Sequence, residues 1–339
     1  MEHRHLVNVL RVSLLATLLF ESCVLPNSDD MMYSSRTIYT VHVIRSDGSG
    51  HRILLTGSFP DVLLADSSIF VTQQLDKLFT TAYTDSYVTQ LYAGITWNSC
   101  SLSRDRSKIL LTSSVHNGNE LYVMDANGTN LMKLAAPKGY YTSPQLSPDM
   151  DEIAFEQNSS VCTIGLDGSN FQKIRASTDI SGCYHPCYVD ENRLLYSEIF
   201  SNTTGANYGW ISIRLFDKNG RTDSLIMDNT RLLYSAQNVF RGDTLLCVDI
   251  VESYARFLHL RTGHLTSLRS ACWASFSPDG SKIVCGDAEN VGTVEVASGS
   301  AQLIYIERDA RNTIVDAKMS PDNKFIVFTT SYSVVERRN

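Results

Sequence analysis

The stretch GCYHPCYVD, residues 182–190, sets a histidine between two cysteines four positions apart, which are residue types that bind metals or move protons. His185 could ligate a metal or serve as a general base. The spacing of Cys183 and Cys187 matches no zinc pattern and no second ligand pair lies near it, so buried thiols or a local disulfide compete with that reading. Aromatic residues stand in comparable places, just ahead of apolar segments: Trp97, Tyr141 beside Tyr140, and Trp273. They could stack on a sugar ring or hold a peptide, and they could equally be core. Aspartate recurs too, at Asp105, Asp149, Asp190, Asp279 and Asp322. A carboxylate present in every copy of a motif serves what the copies share, a turn in which Asp accepts backbone N–H bonds, whereas a catalytic pair would be singular. No G-x-S-x-G elbow, phosphate-binding glycine loop or H-E-x-x-H helix occurs, so no catalytic residue is assigned and any metal stays unspecified.

The elements that must position these residues follow from spacing. Turns ahead of apolar segments fall at Asp66, Asp105, Asp149, Asp190, Arg241, Asp279 and Asp322, at intervals of 39, 44, 41, 51, 38 and 43 residues. A second series of glycine hairpins, at Gly128, Gly168, Gly220, Gly263 and Gly299, interleaves with the first. Each unit therefore carries four short strands. Four-stranded units of 40 to 45 residues are the signature of a β-propeller. The fold class is all-β, a seven-bladed propeller of antiparallel blades, with six and eight blades as the alternatives. Ile38–Gly57 holds a glycine hairpin without a preceding Asp turn, and Asp322 heads a turn and strand without a following hairpin. The N-terminal strands are thus expected to complete the last blade and close the ring. No sustained 3.6-residue periodicity follows Cys23, and Phe200–Gly209 has the composition of a long loop.

With 339 residues, 43% hydrophobic and a formal net charge of -7, the chain has ordinary globular composition and lacks the basic patch of a nucleic-acid binder. Its start differs. Arg4 and Arg11 precede the apolar run Val12–Phe20, which has the length of a signal-peptide core and is too short to span a bilayer. The Ser22-Cys23 step resembles the lipobox of bacterial lipoproteins, although Phe20 and Glu21 depart from that motif, and Asp29 and Asp30 resemble an acidic surface-export tag. Residues 1–22 are read as a signal peptide, 23–36 as a lipid-attachment site at Cys23 with a short tether, and 37–339 as one propeller domain. Cleavage by an ordinary signal peptidase, leaving Cys23 as a thiol, is the alternative. Seven further cysteines in an exported chain leave at least one without a disulfide partner.

The SPDG turns, together with LYVMDANGTNLMKL at Leu121–Leu134, resemble the TolB-type (WD40-like) propeller repeat, most closely over Leu102–Ile174 and Ser270–Thr330. That broad family includes partner-binding periplasmic proteins, propellers joined to serine-peptidase domains, and oligogalacturonate lyases with histidine-rich metal sites. Neither the extra N-terminal domain of TolB nor a following hydrolase domain is expected here, so neither assignment carries over. Together with the lipobox at Cys23, the expectation is an outer-membrane lipoprotein of the envelope, periplasmic or surface facing and monomeric. It would need no cofactor, and would present loops on one ring face to an envelope protein or a glycan. A saccharide lyase or hydrolase with a metal near His185 is the alternative; the mature chain supplies only His42, His51, His116, His185, His259 and His264 for it.

Overall fold

Where the sequence writes Ser-x-Asp, the serine hydroxyl is the pivot of a turn. Ser277 donates to Asp279 at 2.7 Å and accepts the Lys282 N–H at 2.9 Å. Ser103 does the same with Asp105 and the Lys108 N–H, and Ser320 with Asp322 and the Phe325 N–H. In the third copy Ser147 accepts the Glu152 N–H but reaches Asp151, at 3.2 Å, and it also lends a bond to Asp149. The residue after each Asp is left-handed: Arg106, Met150, Gly280 and Asn323 have φ of 61°, 66°, 70° and 59°. Such a turn ends one strand and starts its antiparallel neighbour with fixed register. Asp190 reaches the same result without the serine, accepting the Asn192 and Arg193 N–H groups at 3.0 and 2.8 Å.

The computed structural model describes residues 33–58, 62–73, 77–85, 87–94, 97–115, 118–200, 211–230, 232–233, 239–240, 244–249 and 252–337. The stretches read as signal peptide and lipid-attachment site, including Cys23, lie outside them, as do His116 and Phe200–Gly209 apart from Phe200 itself. The chain opens with β1 (Tyr33–Arg45) and β2 (Arg52–Gly57). Blade 1 is β3 (Val62–Leu64), β4 (Ser68–Gln73), β5 (Lys77–Ala82) and β6 (Thr89–Ala93). Blade 2 is β7 (Trp97–Leu102), β8 (Lys108–Val115), β9 (Gly118–Asp125) and β10 (Met132–Lys133). Blade 3 is β11 (Tyr141–Leu146), β12 (Glu152–Gln157), β13 (Ser160–Gly165) and β14 (Gln172–Arg175). Blade 4 is β15 (Ser181–Tyr188), β16 (Arg193–Phe200), β17 (Ile211–Asp217) and β18 (Thr222–Thr230). In blade 5 two short pieces, β19 (Leu232–Leu233) and β20 (Val239–Phe240), both pair β21 (Thr244–Asp249), which leads to β22 (Tyr254–His259) and β23 (Leu265–Ser270). Blade 6 is β24 (Trp273–Phe276), β25 (Lys282–Gly286), β26 (Asn290–Glu295) and β27 (Ala301–Ile306).

Blade 7 is made from both ends of the described chain, in the order β2, β1, β29 (Phe325–Arg337), β28 (Thr313–Met319). The circular closure expected from the unpaired hairpin is therefore present. β1 starts at Tyr33, so the last residues of the stretch read as a tether are already strand. Seven apolar clusters hold the ring, each shared by two neighbouring blades. Leu63, Phe70, Ile109 and Leu111 join blades 1 and 2, and Val41, Val43, Val62 and Ile69 join blades 7 and 1. The other five clusters fill the remaining five junctions. Every blade interface is a strip of core, and burial of these side chains at roughly 25 cal/mol per Å² is what closes the circle. No helix among the described residues is long and apolar enough to cross a membrane.

Candidate functional site

The antiparallel order gives the ring two unlike faces. Asp turns and glycine hairpins lie on one; connections between blades, and turns between second and third strands, lie on the other. The four aromatic and histidine candidates all belong to first strands of blades, near the connection face, because β7, β11, β15 and β24 start there. At that level several first strands carry a bulge, with register slips at Trp97/Ser99, Thr142/Gln145, Tyr184/Cys187 and Ile314/Asp316. In blades 3 and 4 the bulge holds a left-handed residue before proline: Ser143 at φ 51° and His185 at φ 54°. An added residue re-aims the side chains around it.

That bulge is seated on the neighbouring blade. The His185 backbone N–H donates to Glu156 Oε1 at 2.6 Å, and the Thr142 hydroxyl donates to Oε2 of the same carboxylate. Glu156 is buried. Its carboxylate is thus met by two donors and, among the described residues, by no ion pair, an arrangement that fixes blade 4 against blade 3. The Ser143 N–H uses the Ser99 hydroxyl in the same way, at 3.2 Å. Sequence reasoning passed over Glu156, yet a signal existed. Aligned on the first residue of the strand after each turn, blades 1, 2, 4 and 7 place Thr72, Thr112, Ser197 and Thr329 where blade 3 has a glutamate.

The connections entering blades 3 and 4 are braced on one shared turn. The turn Asn158-Ser159, left-handed at φ 48° and 59°, lies between the connections that enter blades 3 and 4. Asn158 Oδ1 accepts the Tyr140 N–H at 2.9 Å, the Ser159 carbonyl accepts the Cys183 N–H at 2.7 Å, and the Tyr184 hydroxyl reaches Ser159 Oγ at 3.1 Å. Gln157 ties down the first connection by donating to the carbonyls of Pro137 and Lys138. On this braced base Tyr140 and Ile180 stand 46% and 54% exposed, while His185, exposed too, lies further along β15 at the bulge.

Two of the candidates are corrected by their burial. Tyr141 is 1% exposed and meets Phe155 edge to face at 5.4 Å in the core between blades 2 and 3. Its neighbour Tyr140 holds the exposed position, because Tyr141 is the first residue inside the ladder and turns to the blade interface. Trp273 is half-buried, packs on the cluster between blades 6 and 7, and lies across Gly286, where an added Cβ would come within 2.6 Å of the indole. It is a packing residue. Trp97 opens β7 opposite Ser113, and its side chain lies outside the described residues.

Of the two readings of Cys183 and Cys187, buried thiols or a local disulfide, the structure has the first. Cys183 and Cys187 are fully buried thiols, and the bulge between them reverses the alternation, sending Cys183 to the core of blades 3 and 4 and Cys187 to that of blades 4 and 5. Burial pushes both thiols up to about 12. Among the described residues no three His, Cys, Asp or Glu side chains converge as metal ligands. The Asp turns are bound up in their own hydrogen bonds. Burial alone would raise Asp279, but the Ser281 N–H and the Ser277 and Ser281 hydroxyls bring it down to about 2.

Fold and site together define a closed seven-bladed β-propeller with one apolar-tipped connection face. No protein-family model and no curated protein matches the chain. Among solved structures it is similar to an oligogalacturonate lyase from Vibrio parahaemolyticus, at 12% identity and a TM-score of 0.55 over 69% of this chain and 76% of that one. It is also similar to puromycin hydrolase, at 11% identity and a TM-score of 0.57 over 85% of this chain and 56% of that one, so it spans about half that protein's length. TolB from Acinetobacter baumannii matches at 14% identity and a TM-score of 0.49, over 88% and 65% of the two chains. At these identities the likeness is one of fold.

Proposed function

We propose that this chain is an exported, non-catalytic binding propeller of the bacterial envelope, tethered through Cys23, whose connection face receives an envelope protein or a glycan. The observation that carries the reading is the unequal distribution of exposed apolar side chains. Of the ten large ones exposed among the described residues, Tyr140, Ile180, Tyr254, Ile306 and Val335 lie on the connection side, and Tyr87 alone lies on the Asp-turn face. The remaining four sit on outermost strands. Apolar tips on a rigid, internally satisfied base suit recognition, since little ordering remains to be done when a ligand arrives.

The test uses the full chain with the double variant Tyr140→Ala, Ile180→Ser and, as a control on the other face, Tyr87→Ala. Both are measured by calorimetry and on a glycan array against isolated envelope proteins and acidic and neutral saccharides. The expected result is one ligand lost at least tenfold in affinity by the double variant and kept by the control. Release of an unsaturated uronate product from polygalacturonate by the purified chain would replace this reading with the lyase alternative.

A further inference from the structure

β1 and β29 are 13 residues each, about twice the length of the strands in the other blades. Their ladder is unbroken from Tyr33↔Arg337 to Arg45↔Phe325. The outer strands do not follow it: β2 stops pairing at Tyr39↔Gly57, and β28 begins at Thr313↔Ser331. Beyond that level, Tyr33–Ile38 and Tyr332–Arg337 form a two-stranded ribbon projecting from the connection face, with no third strand on either edge among the described residues.

A two-stranded ribbon is marginal by itself, and an open edge offers a row of unpaired N–H and C=O groups to another strand. The two edges differ. The β1 edge carries an exposed Arg36, a charge of the kind that blunts edge pairing. The β29 edge reads Tyr-Ser-Val-Val over residues 332–335, without charge, proline or bulge, and Val335 is 67% exposed.

We propose that the β29 edge pairs antiparallel with the same edge of a second copy of this chain, making one four-stranded sheet continuous between two rings. A two-fold axis normal to that sheet keeps each face, so opposed residues must share a face and the axis must pass through a residue. Placed at Val334, it sets Val334 against its own copy, Ser333 against Val335 and Tyr332 against Glu336, which covers the exposed valine and sets no charge against another. The chain, expected from its sequence to be monomeric, would thus pair through its closing blade, leaving the Tyr140–Ile180 group on each ring for its ligand.

The experiment is sedimentation velocity of the full chain over a hundredfold concentration range, together with oxidative cross-linking of Val334→Cys. Directly opposed residues lie roughly 5 Å apart at Cβ, within reach of a disulfide after small adjustment. Val334→Cys is expected to give a covalent dimer, and Thr37→Cys, on the other strand, is not. The wild-type mass is expected to double with concentration and to remain that of one chain in Val335→Pro. Val335→Lys repeats the test without altering the backbone, should the proline variant fail to fold. A single-chain mass at every concentration, cross-linking no greater than that of Thr37→Cys, or a dimer that persists in the Val335 variants would each overturn the proposal.

Discussion

Acid should loosen this ring at its closing blade, through one buried histidine. His42, on β1, is 4% exposed, stacked on Phe328 at 4.6 Å, with Nε2 2.8 Å from the Thr330 hydroxyl and Nδ1 3.0 Å from Nε2 of His51. Burial, and then the neighbouring His51, lowers its pKa from 6.5 to about 4. Because the folded value is depressed, the unfolded chain binds the proton first as pH falls. Stability is therefore unaffected by this group above about pH 6.5, declines between there and about pH 4, and levels off below. At roughly 1.4 kcal/mol per tenfold change in proton affinity, the full loss is about 3 kcal/mol. The variant His42→Gln keeps a polar partner for Thr330 but cannot titrate. Urea unfolding of both proteins at several values between pH 7.5 and pH 4 reads the contribution of His42 with its coupling to His51, since the carboxylates titrate alike in each. The wild type is expected to lose about 3 kcal/mol more than the variant over that interval. Parallel pH profiles would show that His42 does not remain neutral in the fold, and the argument from its burial would fail.

Other expectations concern the parts that hold the ring. Ser277→Ala removes the Asp279 donor and strands the Lys282 N–H, and should cost about 2 kcal/mol in urea unfolding; a loss below about 0.5 kcal/mol would deny the serine its role as pivot. Gly286→Ala places a Cβ 1.9 Å from the Asn290 carbonyl oxygen and 2.6 Å from the Trp273 ring, for a loss of about 3 kcal/mol. Gly299→Ala meets nothing within 4 Å and pays only for its φ of 68°, about 1 kcal/mol, so the reverse ranking by thermal unfolding would contradict the packing at Trp273. Burial pushes Cys162 up to about 11 and Cys183, Cys187 and Cys247 up to about 12, so a thiol reagent near pH 8 should label the half-buried Cys100 and Cys272 first; early labelling of Cys187, read by peptide mass, would refute the order. Mass spectrometry of the mature N-terminus should find acyl chains that Cys23→Ala abolishes, and an unmodified thiol there would end the lipid-anchor reading.

The ring was legible from the sequence because its cause is repeated. Each Ser-x-Asp turn and each glycine hairpin is a local device with a local signal, and their even spacing carries the topology, including the hairpin at Gly48 and Gly50 that has no turn before it and so must complete blade 7. The site was less legible because a single residue decides which way its side chains point. Alternation along a strand assigns Cys183 and Cys187 to one face, but the bulge at His185 inserts a residue and divides them between two cores. The bulge recurs in the first strands of blades 2, 3, 4 and 7, and at His185 it is seated from outside its own strand, on the carboxylate of Glu156 in the neighbouring blade. Tyr140 and Tyr141 make the same point, since identical adjacent side chains end as surface and core according to where the ladder starts. Glu156 ties these cases together. It is the residue at which blade 3 departs from the threonine or serine of four other blades, and its carboxylate accepts the backbone N–H of the exposed His185 at the bulge of blade 4. A buried carboxylate at a position where four other blades carry a hydroxyl is a local change in how one blade is pinned to the next, which the repeat itself does not announce.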